Sequence, residues 1–412
     1  MSEKAHNVAT TWRDRAVIGI FLLVIATPLG AKLMRFEPAA PQLENRRLAK
    51  LPSLSLSTKS LDAFPAAFEA YYKDHFGLRS QFIRWHHIVK LRLLRVSPSP
   101  NVVLGKDGWL FDDDMIAYVQ ARPFTNAELE EWRMFFEEKE RFASAEGAAY
   151  FLAFAPSPTS IYSEALPDWV RRPDPESRLD QLLRHLRTQS RLSVIDLRGP
   201  LLQAKSQIRL YHRTDSHWND HGAYVAYREI MQAVAKQFPG TDPLPRSAFE
   251  PRVQIRPGGD IARMLALPDL LREESLDLVP LTPRRSRIVE WLPEGSAPPP
   301  AAFSMQSGDE SKPSAVVYHD SFTYASLYPF LAEHFSEVWF HWSHYYGPGL
   351  QVSLGRGEPL WNLTRMATMR RGLRPAVVIQ EFAERSLLYE PLHPWAETVE
   401  GAASAARDSR VR

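Results

Sequence analysis

Residues 315–322 read AVVYHDSF, an unbroken apolar run that ends abruptly in His-Asp-Ser-Phe, and a stretch of helical character follows from about 324 to 335. A short β-branched run bounded by polar residues at a helix start has the form of a strand buried on both faces of a parallel sheet. The same alternation extends in both directions. Upstream lie AAYFLAFA (148–155), a helical stretch at 176–191, LSVIDL (192–197) and a helical stretch at 219–237. Downstream lie EVWFHW (337–342), a helical stretch at 358–371 and AVVIQE (376–381). Strands alternating with helices predict an α/β fold with a mainly parallel sheet covered by helices on both faces.

Before this core, Thr125-x-x-Glu128 is a capping box that opens a helix to about Ser144. VVLGKDGWLF (102–111) reads as a hairpin by its turn chemistry. Residues 61–96 carry apolar positions at helical spacing, divided into two helices by Gly77, and the Pro-rich stretch from Arg35 to about Ser60 reads as a linker. Residues 16–31 (AVIGIFLLVIATPLGA) form an uncharged run between Lys4, Arg13 and Arg15 on one side and Lys32 and Arg35 on the other. A bilayer span needs about 17–25 residues, so this run is at the short end. A signal cut after Ala31 would put Leu29 at −3, a poor site, so an uncleaved signal anchor is expected, its orientation resting on the short N-terminal stub. Residues 293–313 read as a loop or insertion and 396–412 as a disordered tail.

Composition narrows the function. The chain has 412 residues, 44% of them hydrophobic, enough for a substantial core. A formal net charge of +2 and the lack of a basic block argue against a nucleic-acid partner. With no cysteine, thiol catalysis, disulfides and thiolate metal sites are excluded.

In open α/β sheets ligands bind beyond the carboxyl ends of the strands. Ser321 stands at such an end, where a strand gives way to a helix, and a helix N-terminus favours the negative charge of an acyl-transfer intermediate. The plainer alternative is that Asp320 or Ser321 simply caps the helix. A serine nucleophile needs a base, and the base a carboxylate to hold its tautomer. RTDSHWN (213–219) offers both: Asp215 and His217 project to the same side of an extended loop, so that Asp215 can receive Nδ1–H and leave Nε2 for Ser321. Here the alternative makes Asp215 and Asn219 turn and cap residues and His217 a solvated loop histidine. Histidine pairs at metal-ligand spacing (His217 with His221, His341 with His344) occur among 13 histidines without a His-Glu-x-x-His motif, so neither metal nor cofactor is expected. RPGGD (256–260) lacks the Lys-Ser/Thr of a phosphate loop. The aromatic stretch EVWFHWSHYY (337–346) could line a sugar groove or be a buried strand with an exposed loop, and Trp218, Tyr324 and Trp342 are the expected substrate contacts.

With these residues in place, the chain resembles the periplasmic SGNH-hydrolase-like O-acetyltransferases of alginate and related bacterial exopolysaccharides, over about residues 43–390. YHRTDSHWNDHGAYVAY (211–227) resembles the family's Asp-x-His-Trp-Asn signature and YHDSF (318–322) its Gly-Asp-Ser-Phe segment, with support from ENRRLAKLP (44–52), YYKDHFGLRS (71–80), GKDGWLF (105–111) and IYSEALP (161–167). The resemblance implies a three-layer α/β/α fold, with a cytoplasmic stub and anchor at 1–35, a linker and helical segment at 36–105 and a catalytic domain at 106–395. It implies Ser321 as nucleophile, His217 as base and Asp215 as its orienting carboxylate. It further implies an exopolysaccharide acceptor, a membrane-bound O-acyltransferase as acetyl supplier, and an inner-membrane protein with its catalytic domain in the periplasm. An esterase using the same triad, or a non-catalytic polysaccharide-binding subunit of a secretion complex, are the alternatives. One departure stands out: the family's Gly before Asp-Ser is His319 here. Glycine tolerates positive φ and close approach where histidine does so at a cost, so a changed oxyanion-hole geometry is expected.

Overall fold

The computed structural model describes residues 11–34, 48–53, 57–292, 302–342 and 374–389. The expected helix at 358–371, the tail at 396–412 and the aromatic residues beyond Trp342 lie outside them. Two compact units are present, one formed by residues 1–100 with 262–268 and the other by 101–261 with 269–412.

The first unit begins with α1 (Trp12–Leu33), whose Thr11 and Asp14 form a capping box. This helix is long and apolar enough to cross a membrane and keeps its apolar side chains exposed. The two helices expected on either side of Gly77 are α2 (Thr58–His75) and α3 (Arg79–Ile88).

The second unit carries the sheet. Its strands in chain order are β1 (Val102–Leu104), β2 (Leu110–Asp112), β3 (Ala149–Ala155), β4 (Ser193–Asp196), β5 (Phe249–Arg256) and β6 (Glu273–Pro280). They continue with β7 (Arg287–Leu292), β8 (Ala302–Gln306), β9 (Ala315–His319), β10 (Glu337–Trp342) and β11 (Val377–Ala383). The main sheet has the order β4-β3-β11-β9-β10-β8-β7. Its first five strands are parallel, and β8 and β7 add an antiparallel edge. The three main helices of this unit are α4 (Asn126–Ala145), α5 (Arg178–Gln189) and α6 (Asp220–Ala235). On one face of the sheet, Trp132, Phe135 and Phe136 of α4 and Leu182 and Leu186 of α5 pack on Tyr150, Leu152 and Phe154 of β3 and Phe382 of β11. Each such side chain stabilises the fold by roughly 1.5–3 kcal/mol on burial.

Two departures from expectation follow from exposure and pairing. The segment read as a loop at 293–313 contains β8, which pairs antiparallel with β10 and buries Ala302 to Met305. Its AFSMQ sequence has too little β-branched character to announce a strand, and the partner strand supplies what local propensity lacks. The β5–β6 ribbon was not foreseen either: the Val253/Ile255 alternation in β5 is short and interrupted by Pro251, and the strand is exposed along nearly its whole length.

Chain order explains where a ligand would sit. From β3 the chain steps outward to β4, and from β9 it steps the opposite way to β10, with β11 filling the gap. A reversal of this kind leaves a crevice beyond the carboxyl ends of β3, β11 and β9.

Candidate active site

Ser321 occupies the first position of the helix after β9. Asp320 is the cap: its Oδ1 accepts from Phe322 N–H at 2.9 Å and its Oδ2 from Ala383 N–H at 2.8 Å. The cap alternative is thus taken by Asp320, and the Ser321 hydroxyl is buried without a hydrogen-bond partner among the described residues. Beneath it, Glu381 of β11 accepts from Asp320 N–H at 3.1 Å and from the Thr323 hydroxyl at 3.0 Å. Burial, reinforced by the charge of Asp320, pushes the Glu381 carboxyl well up.

The loop before α6 is folded back on itself by a bridge between Tyr211 and Trp218. Asn219 caps α6, accepting from His221 N–H at 3.0 Å and Gly222 N–H at 3.2 Å. The loop tip is anchored through Glu273 of β6, which accepts from Arg213 N–H at 2.7 Å and from the Thr214 hydroxyl. Asp215 Oδ1 lies 2.7 Å from His217 Nδ1 and accepts from His217 N–H at 3.1 Å, so the carboxylate fixes both ring and backbone. Asp215 Oδ2 accepts from Asp260 N–H at 2.8 Å. Burial pushes the Asp215 carboxyl up, but the hydrogen bond and charge of His217 outweigh it and hold it well below the usual carboxylate range. Burial likewise pushes His217 down, and Asp215 first, then Asp260, more than reverse this, leaving it above its ordinary value. The other ring nitrogen, Nε2, is buried and has no hydrogen-bond partner among the described residues. With Nδ1 held by a carboxylate, Nε2 is the atom free to take a proton.

Trp218 and Phe322 bring loop and strand end together. The Trp218 indole N–H donates to Phe322 O at 3.1 Å, and the Phe322 ring lies 4.9 Å from Trp218 and 5.1 Å from the His217 ring. Trp218 is fully buried, so it braces the site and presents no open face to a sugar. Tyr324 and Trp342 are half-buried and meet edge-to-face at 5.9 Å. Trp342 borders His319, whose ring is 5.4 Å away.

His319 closes β9 in extended backbone; among the described residues other than glycine, positive φ occurs only at Leu78, Arg95, Asp107 and Ala266. Histidine in place of glycine therefore carries no left-handed strain here. Burial pushes it down to about 4, which makes it a neutral packing group.

Two residues with no local signal complete the site. The connection after β5 delivers Gly259 and Asp260 to the Asp215 side chain. A Cβ on Gly259 would fall 2.2 Å from Asp215 Oδ2, so only glycine lets the chains approach. Asp260 accepts from Ser216 through both N–H and hydroxyl. Asp215, His217 and Asp260 each place an atom within 4.8 Å of the others. The carboxylates and Nδ1 of this group are engaged by hydrogen bonds with one another and with Ser216. Within RPGGD the sequence gives no sign of this role, because its pairing with a loop 45 residues away leaves no mark in spacing.

Known proteins share this architecture. Bacillus cereus PatB1 superposes with a TM-score of 0.51 at 15% identity over 70% of this chain and 97% of its own, a likeness of fold. A protein named "Probable alginate O-acetylase AlgJ" from Pseudomonas aeruginosa is 27% identical over 252 residues, 59% of either chain. Its namesake from Pseudomonas putida is 31% identical over 143 residues, 34% of this chain and 35% of that one. The chain thus spans between 35% and 59% of the length of the curated relatives it matches. Residues 102–342, more than half of the chain, take in both the Asp215–His217 loop and the Ser321 strand end, and over that span the protein belongs to the family described as SGNH hydrolase-like domain, acetyltransferase AlgX.

Proposed function

We propose that the protein is an O-acetyltransferase that moves acetyl groups onto hydroxyls of an exported polysaccharide through an acetyl-Ser321 intermediate. The carrying observation is the pair of buried atoms at the sheet crest, Ser321 Oγ and His217 Nε2, both next to Phe322 and both without a hydrogen-bond partner among the described residues. They do not hydrogen bond to one another here, and such contacts often tighten only when substrate binds. In the first step Ser321 Oγ attacks the acetyl carbonyl carbon while His217 Nε2 takes its proton. The tetrahedral intermediate collapses, the donor oxygen leaves with that proton, and acetyl-Ser321 remains. A sugar hydroxyl then attacks the acetyl carbon, giving its proton to His217, which passes it to Ser321 Oγ as the Ser321–acetyl bond breaks and the sugar ester departs. Asp215 holds the imidazole in the tautomer both steps need.

Relatives named for alginate O-acetylation support a polysaccharide acceptor, and the apolar α1 supports anchoring in the inner membrane with the catalytic unit in the periplasm. In this reading a membrane-bound O-acyltransferase supplies the acetyl group. The test is mass spectrometry after incubation with p-nitrophenyl acetate, with and without oligosaccharide acceptors. One acetyl group on the Ser321 peptide, passed to an oligosaccharide, is the expected result. Free hydrolysis of the donor, no acetyl gain by any acceptor and deacetylation of a pre-acetylated polymer would replace transfer by esterase action.

A further inference from the structure

A catalytic imidazole that gains a proton benefits from every carboxylate held close to it, provided those carboxylates are already oriented. His217 has two. Asp215 binds Nδ1 directly at 2.7 Å, and Asp260 Oδ2 lies 3.7 Å from the same nitrogen. Between them stands Ser216, whose hydroxyl is 3.2 Å from His217 Nδ1 and bonds to Asp260 Oδ2, while its N–H donates to Asp260 Oδ1 at 2.7 Å. Asp260 N–H in turn donates to Asp215 Oδ2.

We propose that Asp260 is a positioning residue for His217: through Ser216 and through its own N–H to Asp215, it clasps both members of the Asp-x-His pair and holds a second negative charge beside the imidazole. This rests on the reading of His217 as the base. The arrangement reaches the site from a different part of the chain, the connection after β5, so the Asp215–Ser216–His217 loop is gripped from outside rather than held by its own turn alone. Gly259 makes the grip possible by letting the connection pass against the Asp215 carboxylate. The charged groups facing His217 are Asp215, Asp260 and Arg385, the last opposing the two carboxylates; His212 acts on Asp215. Asp260 has 36% of its side chain open to solvent, so its charge is screened in part and its effect is smaller than that of Asp215.

The experiment is a titration of the His217 imidazole by NMR in the full chain, beside the pH profile of acetyl-ester cleavage. In the Asp260→Asn protein the His217 titration should fall by about one unit. The acid limb of kcat/KM should move down with it, and kcat should drop about tenfold with KM unchanged, since one unit is a factor of ten in proton affinity. Asp260→Glu should restore part of the shift. Ser216→Ala, which keeps the charge and removes the bridge, should show a smaller drop in kcat. A residue that merely supported the loop would lower stability without moving either titration. If Asp260→Asn does not fold, Asp260→Glu and Ser216→Ala carry the test. An unchanged His217 titration and acid limb in the folded variants would overturn the proposal. Failure of the underlying reading looks different: Ser321→Ala would then retain activity, whatever Asp260 does to the His217 titration.

Discussion

Two histidines stand at the crest of the sheet, one in the loop before α6 and one at the end of β9, and their surroundings have opposite effects. His319 is 1% exposed among Phe303, Phe340 and Trp342, with its Nδ1 2.8 Å from the Asp320 carbonyl, and burial drives it down to about 4. His217 is also largely enclosed, yet Asp215 and Asp260 lie against it and raise it above its ordinary value. His341 and His334, buried elsewhere in this unit, follow His319 and fall to about 3 and 4. Burial by itself turns a histidine into a neutral packing group; carboxylates placed at the same depth turn it into a base.

The sharpest way to break this comparison is to remove the reacting atoms. Ser321→Ala and His217→Ala should each lower acetyl transfer by at least about a thousandfold, since nucleophile and base act as one unit. Because Asp320 and not Ser321 caps the helix, Ser321→Ala should leave the unfolding midpoint nearly unchanged. Steady-state assays and thermal melts on the same preparations check both statements.

A second variant breaks only the carboxylate side. Gly259→Ala puts a methyl group where Asp215 Oδ2 lies, and a displacement of the carboxylate should lower kcat about a hundredfold. A crystal structure of this variant should show Asp215 turned from His217. Full activity with Asp215 in place would show that the close approach has no part in orienting the base.

The third prediction concerns pH. A base must be unprotonated to act, so with His217 raised by Asp215 and Asp260 the acid limb of kcat/KM should have its midpoint above 6.5. The stability contribution of this group has the opposite sense: it is fully present below the unfolded value and is lost as pH rises through the folded one. A limb centred near 4 would assign the base to a histidine of the His319 kind. The smallest effect belongs to His319 itself. His319→Phe keeps an aromatic ring among aromatic neighbours, so stability should change by less than about 1.5 kcal/mol and the acid limb should stay in place.

Much of the fold was legible because burial on both faces of a parallel sheet demands continuous apolar runs, and AYFLAFA of β3, AVVY of β9 and the VVI that opens β11 are such runs. The β5–β6 ribbon was not, since a strand exposed to solvent is under no such demand. The same division runs through the site. Asp215, His217 and Ser321 were readable from local chemistry: a two-residue spacing sets Asp beside His, and a serine at a strand end starts a helix. Trp218, grouped with the expected sugar contacts, is enclosed by its bond to Phe322, a partner 104 residues away.

By itself, then, the sequence determined the parallel sheet, the apolar N-terminal helix and the Asp-x-His and Asp-Ser segments, because hydrophobic pattern and short-range spacing act within a few residues. Only the tertiary structure decided that Asp320 would cap the helix and leave Ser321 unspent, that Glu381 would lie under Asp320, that His319 would be neutral and that Gly259 and Asp260 would close on Asp215. Hydrogen bonds and charges act through distance in space, and the distance between such residues is set when the chain has folded, with no trace in their separation along it.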